Sequence, residues 1–102
     1  MKARTLTFSI DPARVPQVLE ALDEQILPEY RKMPNFVGLV ILQADHARRE
    51  LVGISVWDGG LEDSAELLAS FRQRLTALAG TAPTTATYDV LRFAARGAGA
   101  GS

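Results

Sequence analysis

Along residues 3–10, Leu6, Phe8 and Ile10 alternate with Thr5, Thr7 and Ser9. Side chains on a strand point to opposite faces in turn, so this period of two predicts a strand from Ala3 to Ile10. Asp11-Pro12 is a helix start, because the carboxylate accepts from free backbone amides and proline suits the first turn. Val15, Val18, Leu19, Leu22, Ile26 and Leu27 then recur at three- and four-residue spacing and predict a first helix with one apolar stripe. Pro28 cannot donate to the carbonyl four residues back, which predicts a kink or break near Gln25 to Leu27, with a further turn through Tyr30 to Lys32. From Phe36 to Gln43 both alternating faces are apolar, with Phe36, Val40 and Leu42 expected on one side and Val37, Leu39 and Ile41 on the other. Such a strand has to be covered twice. "ADHARRE" predicts a polar hairpin turn, Leu51 to Trp57 a third strand rich in β-branched residues, and Asp58-Gly59-Gly60 a break. Ala65, Leu68, Phe71, Leu75, Leu78 and Ala79 trace a second helix that ends at Gly80; "TAPTTA" reads as a loop and Thr87 to Ala94 as the last strand.

The resulting order, βαββαβ, is the signature of a ferredoxin-like α+β domain with an antiparallel sheet over residues 1–94. Residues 95–102, "ARGAGAGS", hold small residues and one arginine, too little apolar surface to order themselves, and are expected to form a flexible tail. At 102 residues the chain suits one domain and one core. The net charge of -1 provides no cationic field for nucleic acid or an anionic membrane. The longest apolar run, "FVGLVIL", falls well short of the roughly 20 residues that cross a bilayer, and the N-terminus lacks the apolar stretch of a signal peptide, so a cytoplasmic location is expected. Without cysteine there is no disulfide, no thiolate nucleophile and no cysteine-held metal.

In this topology both helices cover one face of the sheet. The strands leave large Leu, Val, Ile, Phe, Tyr or Trp side chains on the opposite face, and a broad apolar patch is unusual on a soluble monomer. A homodimer with the two sheets face to face is therefore expected. "FSIDPARV", "ILPEYRKMPNFVGLVIL" and "LVGISVWDG" followed by "SAELLAS" resemble the antibiotic biosynthesis monooxygenase family of the dimeric α/β-barrel superfamily, over about residues 3–94. Pro28, Pro34, Phe36, Gly38, Ser55, Trp57 and Ser70 match its layout one by one. The resemblance implies an eight-stranded barrel built by two protomers, with a pocket between each sheet and its own helices. It also implies a cofactor-independent oxygenation, in which a phenolic compound supplies the electrons as its anion and molecular oxygen oxidises it. The haem-degrading branch of the superfamily has a histidine on the second helix and an asparagine on the first strand; neither is present here, so no haem or metal is expected.

Five residues are candidates for the substrate pocket, and none is singled out as catalytic. Trp57 ends the third strand, where it either packs in the core with its N–H on a backbone partner or lines the pocket. Tyr30, at the end of the first helix beside Arg31, either steadies a phenolate or packs its ring on the sheet. Phe8 belongs to the apolar face of the first strand. Tyr88 points either into a pocket or across the dimer interface, and Arg92 pairs with a carboxylate such as Asp89 of a neighbour or faces a substrate anion. His46 sits in the polar turn and reads as a solvated residue rather than a general base. The acidic residues Asp58, Glu62, Asp63 and Glu66 read as capping the second helix. No acid–base pair stands out, which keeps a non-catalytic, homodimeric ligand- or partner-binding module as the alternative. Cavity volume separates the two readings: below roughly 300 Å³ a polycyclic substrate does not fit and the binding module is favoured.

Overall fold

The computed structural model describes residues 1–44, 49–59, 61 and 65–94; His46, Glu62, Asp63 and the tail expected at 95–102 lie outside the described residues. Four antiparallel strands form one sheet in the order β2-β3-β1-β4: β1 (Lys2–Ser9), β2 (Phe36–Gln43), β3 (Glu50–Trp57) and β4 (Thr84–Asp89). Between β1 and β2 run α1 (Val15–Ala21) and α2 (Leu27–Arg31), and between β3 and β4 runs α3 (Ala65–Ala79). This is the ferredoxin-like α+β fold expected from the sequence. Among the described residues no helix is long and apolar enough to cross a membrane.

Register decides what each face carries. In β1 the even positions Arg4, Leu6 and Phe8 lie opposite Ser55, Gly53 and Leu51 of β3, all on the side of the helices. The core gathers there: Phe8, Leu51 and Trp57 from the sheet, Val18, Leu22, Ile26 and Tyr30 from the first helical segment, and Leu68, Phe71 and Leu75 from α3. The other face carries Val40 and Leu42 of β2, Val52, Ile54 and Val56 of β3, and Ala86 and Tyr88 of β4. Val40 is 49% exposed, Leu42 46% and Tyr88 57%, so this apolar face is open in one protomer.

Two strand expectations are corrected. The ladder between β2 and β3 shifts between Phe36 and Gly38, so Phe36 lies opposite Trp57 and joins Leu39 and Ile41 on the helix side. A bulge places two residues against one and inverts the alternation beyond it, which strict period-two counting misses. The last strand begins at Thr84 and ends at Asp89, instead of spanning Thr87 to Ala94, because Asp89 already lies opposite Lys2, where β1 begins; one further bond joins the Val90 N–H to the Met1 carbonyl. Threonine is β-branched and suits a strand, and here the available partner outweighs the search for an apolar run.

The first helical segment starts as expected. The Asp11 carboxylate accepts from the Ala13 N–H at 3.0 Å, and a 3₁₀ turn at Pro12–Arg14 leads into α1. The predicted disturbance before Pro28 is a π turn at Leu22–Ile26, in which the Leu27 N–H bonds to the Leu22 carbonyl five residues back. Pro28 offers no donor and its ring crowds the carbonyl four residues earlier, so the wider turn relieves both conflicts. It has a second effect. Leu22, Ile26 and Tyr30 are spaced by fours, and a regular α-helix would rotate each such step by about 40° away from the sheet. The slower rotation of the π turn returns part of that drift, and all three side chains stay buried.

At the other helix, Gly80 takes a positive φ of 83° after α3 and its N–H bonds to the Thr76 carbonyl at 2.8 Å, the left-handed stop that a glycine permits. Phe71, in the middle of α3, is among the largest fully buried side chains. Phe71→Ala removes its ring contacts and leaves a cavity between the layers, so chemical denaturation should show a loss of about 3–5 kcal/mol.

Candidate active site between sheet and helices

The inner cavity lies where the register brings β1, β2 and β3 beneath the π turn and α3. Leu6, Leu39, Gly53, Leu22, Ile26, Phe71 and Leu75 make its walls apolar, and Arg4, Tyr30 and Ser55 bring polar groups to it. Its volume is about 30 Å³, room for about one water molecule. Gly53 is part of the wall, where a Cβ would lie 3.5 Å from Ile41 Cδ1, an ordinary contact that an alanine could make.

Tyr30 is held by three aromatic rings. Its centroid lies 5.2 Å from Trp57, 5.4 Å from Phe36 and 5.1 Å from Phe71, at tilted or edge-on angles that suit ring quadrupoles. Trp57 is 0% exposed and is absent from the cavity lining; it backs Tyr30 rather than forming the wall. Its indole N–H donates to the Ser55 hydroxyl at 2.9 Å, and that hydroxyl donates to the Arg4 carbonyl at 3.4 Å. The chain Trp57–Ser55–Arg4 thus ties the aromatic cluster to the backbone of β1 at the edge of the cavity.

Of the five residues proposed from sequence, the cavity takes Tyr30. Phe8 packs in the core opposite Leu51, nearer the other end of β1. Tyr88 belongs to the outer face of the sheet. Arg92 follows the end of β4 as an exposed side chain, and the carboxylate offered to it, Asp89, pairs instead with Lys2 across the β1–β4 ladder. The hydrogen bond from Lys2 and its charge hold the Asp89 carboxyl below its ordinary range. The residue that sequence reasoning missed is Arg4. Its signal was present: Arg4 is in phase with Leu6, Phe8 and Ile10, so the alternation that defines the apolar face also places a guanidinium on it.

Volume alone would favour any of several larger grooves. One, about 430 Å³, runs between the first helical segment and α3 beside Glu20, Glu24 and Arg74, and another, about 390 Å³, between that segment and the edge strand β2. The first lies between two helices and the second reaches Phe36, Leu39 and Ile41 on the helix side of β2, and neither is lined by a hydroxyl. Among the described residues no group of three or more His, Cys, Asp or Glu side chains is placed to hold a metal.

Burial pushes the Tyr30 phenol up to about 12, while the charge of Arg4 pulls the other way. The group is therefore a neutral donor at physiological pH. Because burial penalises the phenolate and raises the folded-state pKa above the ordinary 10.0, the group leaves stability unchanged below pH 10 and takes away about 3 kcal/mol as pH rises from 10 through about 12. Absorbance of phenolate at alkaline pH should show a late step above pH 11 that Tyr30→Phe removes, and the variant should lose less stability than the parent between pH 10 and 12.

The sequence matches no protein-family model and no curated protein. Solved structures do match. A monooxygenase of Streptomyces coelicolor from the gene ActVA-Orf6, solved with nanaomycin D, aligns over 92% of this chain and 89% of its own with a TM-score of 0.71 and 19% identity. SnoaB, a cofactor-independent oxygenase from Streptomyces nogalater, aligns over 90% of this chain and 94% of its own with a TM-score of 0.63 and 18% identity. A dimeric ferredoxin-like protein from an uncultured marine organism aligns over 91% of this chain and 96% of its own with a TM-score of 0.63 and 12% identity. This chain shares its fold with solved antibiotic biosynthesis monooxygenases.

Proposed function

We propose that this protein is a homodimeric, cofactor-independent oxygenase that acts on a small electron-rich phenol, bound as its anion between the sheet and the helices of each protomer. The observation that carries the reading is the apolar cavity with one guanidinium, Arg4, and one buried neutral phenol, Tyr30, on its wall. A cation in a low-dielectric site lowers the pKa of a bound phenol, and a neutral hydroxyl donates to the resulting oxyanion. Among the described residues the lining has no carboxylate or imidazole, so the substrate's proton leaves to water and the Arg4 charge maintains the anion. The electron-rich ring then reduces molecular oxygen. A C–O bond forms at the carbon para to the phenolic oxygen, that carbon loses its hydrogen as the O–O bond breaks, and one naphthol plus one O₂ gives one naphthoquinone plus one water. The named activities of the ActVA-Orf6 and SnoaB structures support this chemistry on this fold.

The volume directs the reading toward the small end of the substrate range. A space of about 30 Å³ is far below the roughly 300 Å³ of a drug-sized site, so even a bicyclic phenol must displace wall side chains such as Leu22, Ile26 or Leu39. The same observation favours the second reading, a dimer that binds a small ligand without transforming it, as does the lining's lack of a general base.

Oxygen consumption by metal- and flavin-free protein against hydroquinones, anthrones and naphthols separates the two. Saturable uptake should fall about 10²-fold in kcat/KM for Arg4→Gln, the scale of losing one oxyanion-stabilising group. Uptake no faster than with denatured protein assigns the chain to the binding module. The dimer has its own measurement: solution mass should stay near twice the 11.0 kDa of one chain on micromolar dilution. Val40→Asp, on the open face, should shift it to the monomer by placing an unpaired charge in the interface, whereas Ile41 faces the helices and is the wrong position for such a test.

A further inference from the structure

A second cavity, about 210 Å³, opens between α3 and the β1–β4 edge of the sheet, and Arg4 and Leu6 line both it and the inner cavity. Its polar lining has a single character. Arg72 comes from α3, Arg4 from β1, and the hydroxyl-bearing Thr85 and Thr87 from the helix-facing side of β4, opposite Leu6 and Arg4 respectively. Among the described residues no carboxylate lines it and neither arginine forms an ion pair. The nearest carboxylate along β4, Asp89, is taken by Lys2 in the next row of the ladder. Among the described residues the Arg72 guanidinium makes one hydrogen bond, from Nη2 to the Pro83 carbonyl at 3.3 Å, and a guanidinium carries five N–H donors, so most of its donor edge is left for a ligand.

Two guanidinium groups and two hydroxyls, with no counter-ion among the described residues, form a receptor for a planar oxyanion. We propose that this cleft binds the carboxylate of an aromatic acid whose ring enters the inner cavity past Leu6, with Arg72 the specificity-determining residue and Arg4 at the junction of the two spaces. The inference rests on the aromatic-site reading above and narrows its substrate class to phenols that carry a carboxylate arm.

The test compares 1-naphthoate with 1-naphthamide, a neutral molecule of nearly the same shape, by isothermal titration calorimetry at pH 7 and low salt on the native dimer. Naphthoate should bind at least tenfold more tightly. Arg72→Gln should remove that advantage, and raising the salt should narrow it in the unaltered protein, a readout that needs no variant. Equal binding of the two probes would overturn the carboxylate site and leave the aromatic cavity standing. Failure of both to bind would also overturn it, while oxygen uptake from uncharged naphthols still decides the oxygenase reading on its own.

Discussion

A tryptophan with no exposure to water has to place its N–H on a protein acceptor, and here the acceptor is the hydroxyl two residues earlier on the same strand. Ser55 is engaged twice, accepting from Trp57 and donating to the Arg4 carbonyl, so a polar group in the core is satisfied and not left to oppose folding. The indole, once fixed, offers its face and edge to Tyr30 and Phe36, and Tyr30 in turn meets Phe71 of α3. Helix, sheet and cavity therefore share one aromatic joint. Trp57 contributes to the site without touching it, by setting where the Tyr30 ring sits and how little water reaches its hydroxyl.

Much of the fold was legible because the chain writes it in plain periods. The alternation of Leu6, Phe8 and Ile10, the stripe through Leu68, Phe71 and Leu75, and the stops at Pro34 and Gly80 each point to the element that forms. The S-x-W spacing even encodes the Trp57 bond, since residues two apart on a strand share a face. What escaped is where a local rule met a partner out of sequence range. The bulge after Phe36 follows from pairing with Trp57, and the early start of β4 from pairing with the first residues of β1. Tyr88 and Arg92 look chemically attractive as letters, yet the register carries one to the outer face and leaves the other beyond the ladder. Arg4 is a charge in phase with the core, and pairing of β1 with β3 is what sets it beside the cavity.

The π turn shows how a local conflict is absorbed to keep the site. Pro28 would break a regular helix at the point where Tyr30 must still face the sheet, and five widened residues reconcile the two demands. Without that adjustment the four-residue spacing of Leu22, Ile26 and Tyr30 would carry the phenol toward the flank, away from Arg4. Cavity, phenol and guanidinium thus depend on an irregularity that helix propensity alone disfavours.

β3 contributes to both sides of the sheet at once: Leu51, Ser55 and Trp57 toward the helices, Val52, Ile54 and Val56 toward the open face. Exchanging any one of these side chains perturbs one surface by degrees. Inserting or deleting a single residue inside the strand would instead trade the two sets, sending the tryptophan to the outside and a valine into the core. The fold therefore constrains the length of β3 more strictly than its composition, and a change in length is tolerated better in the connections around it.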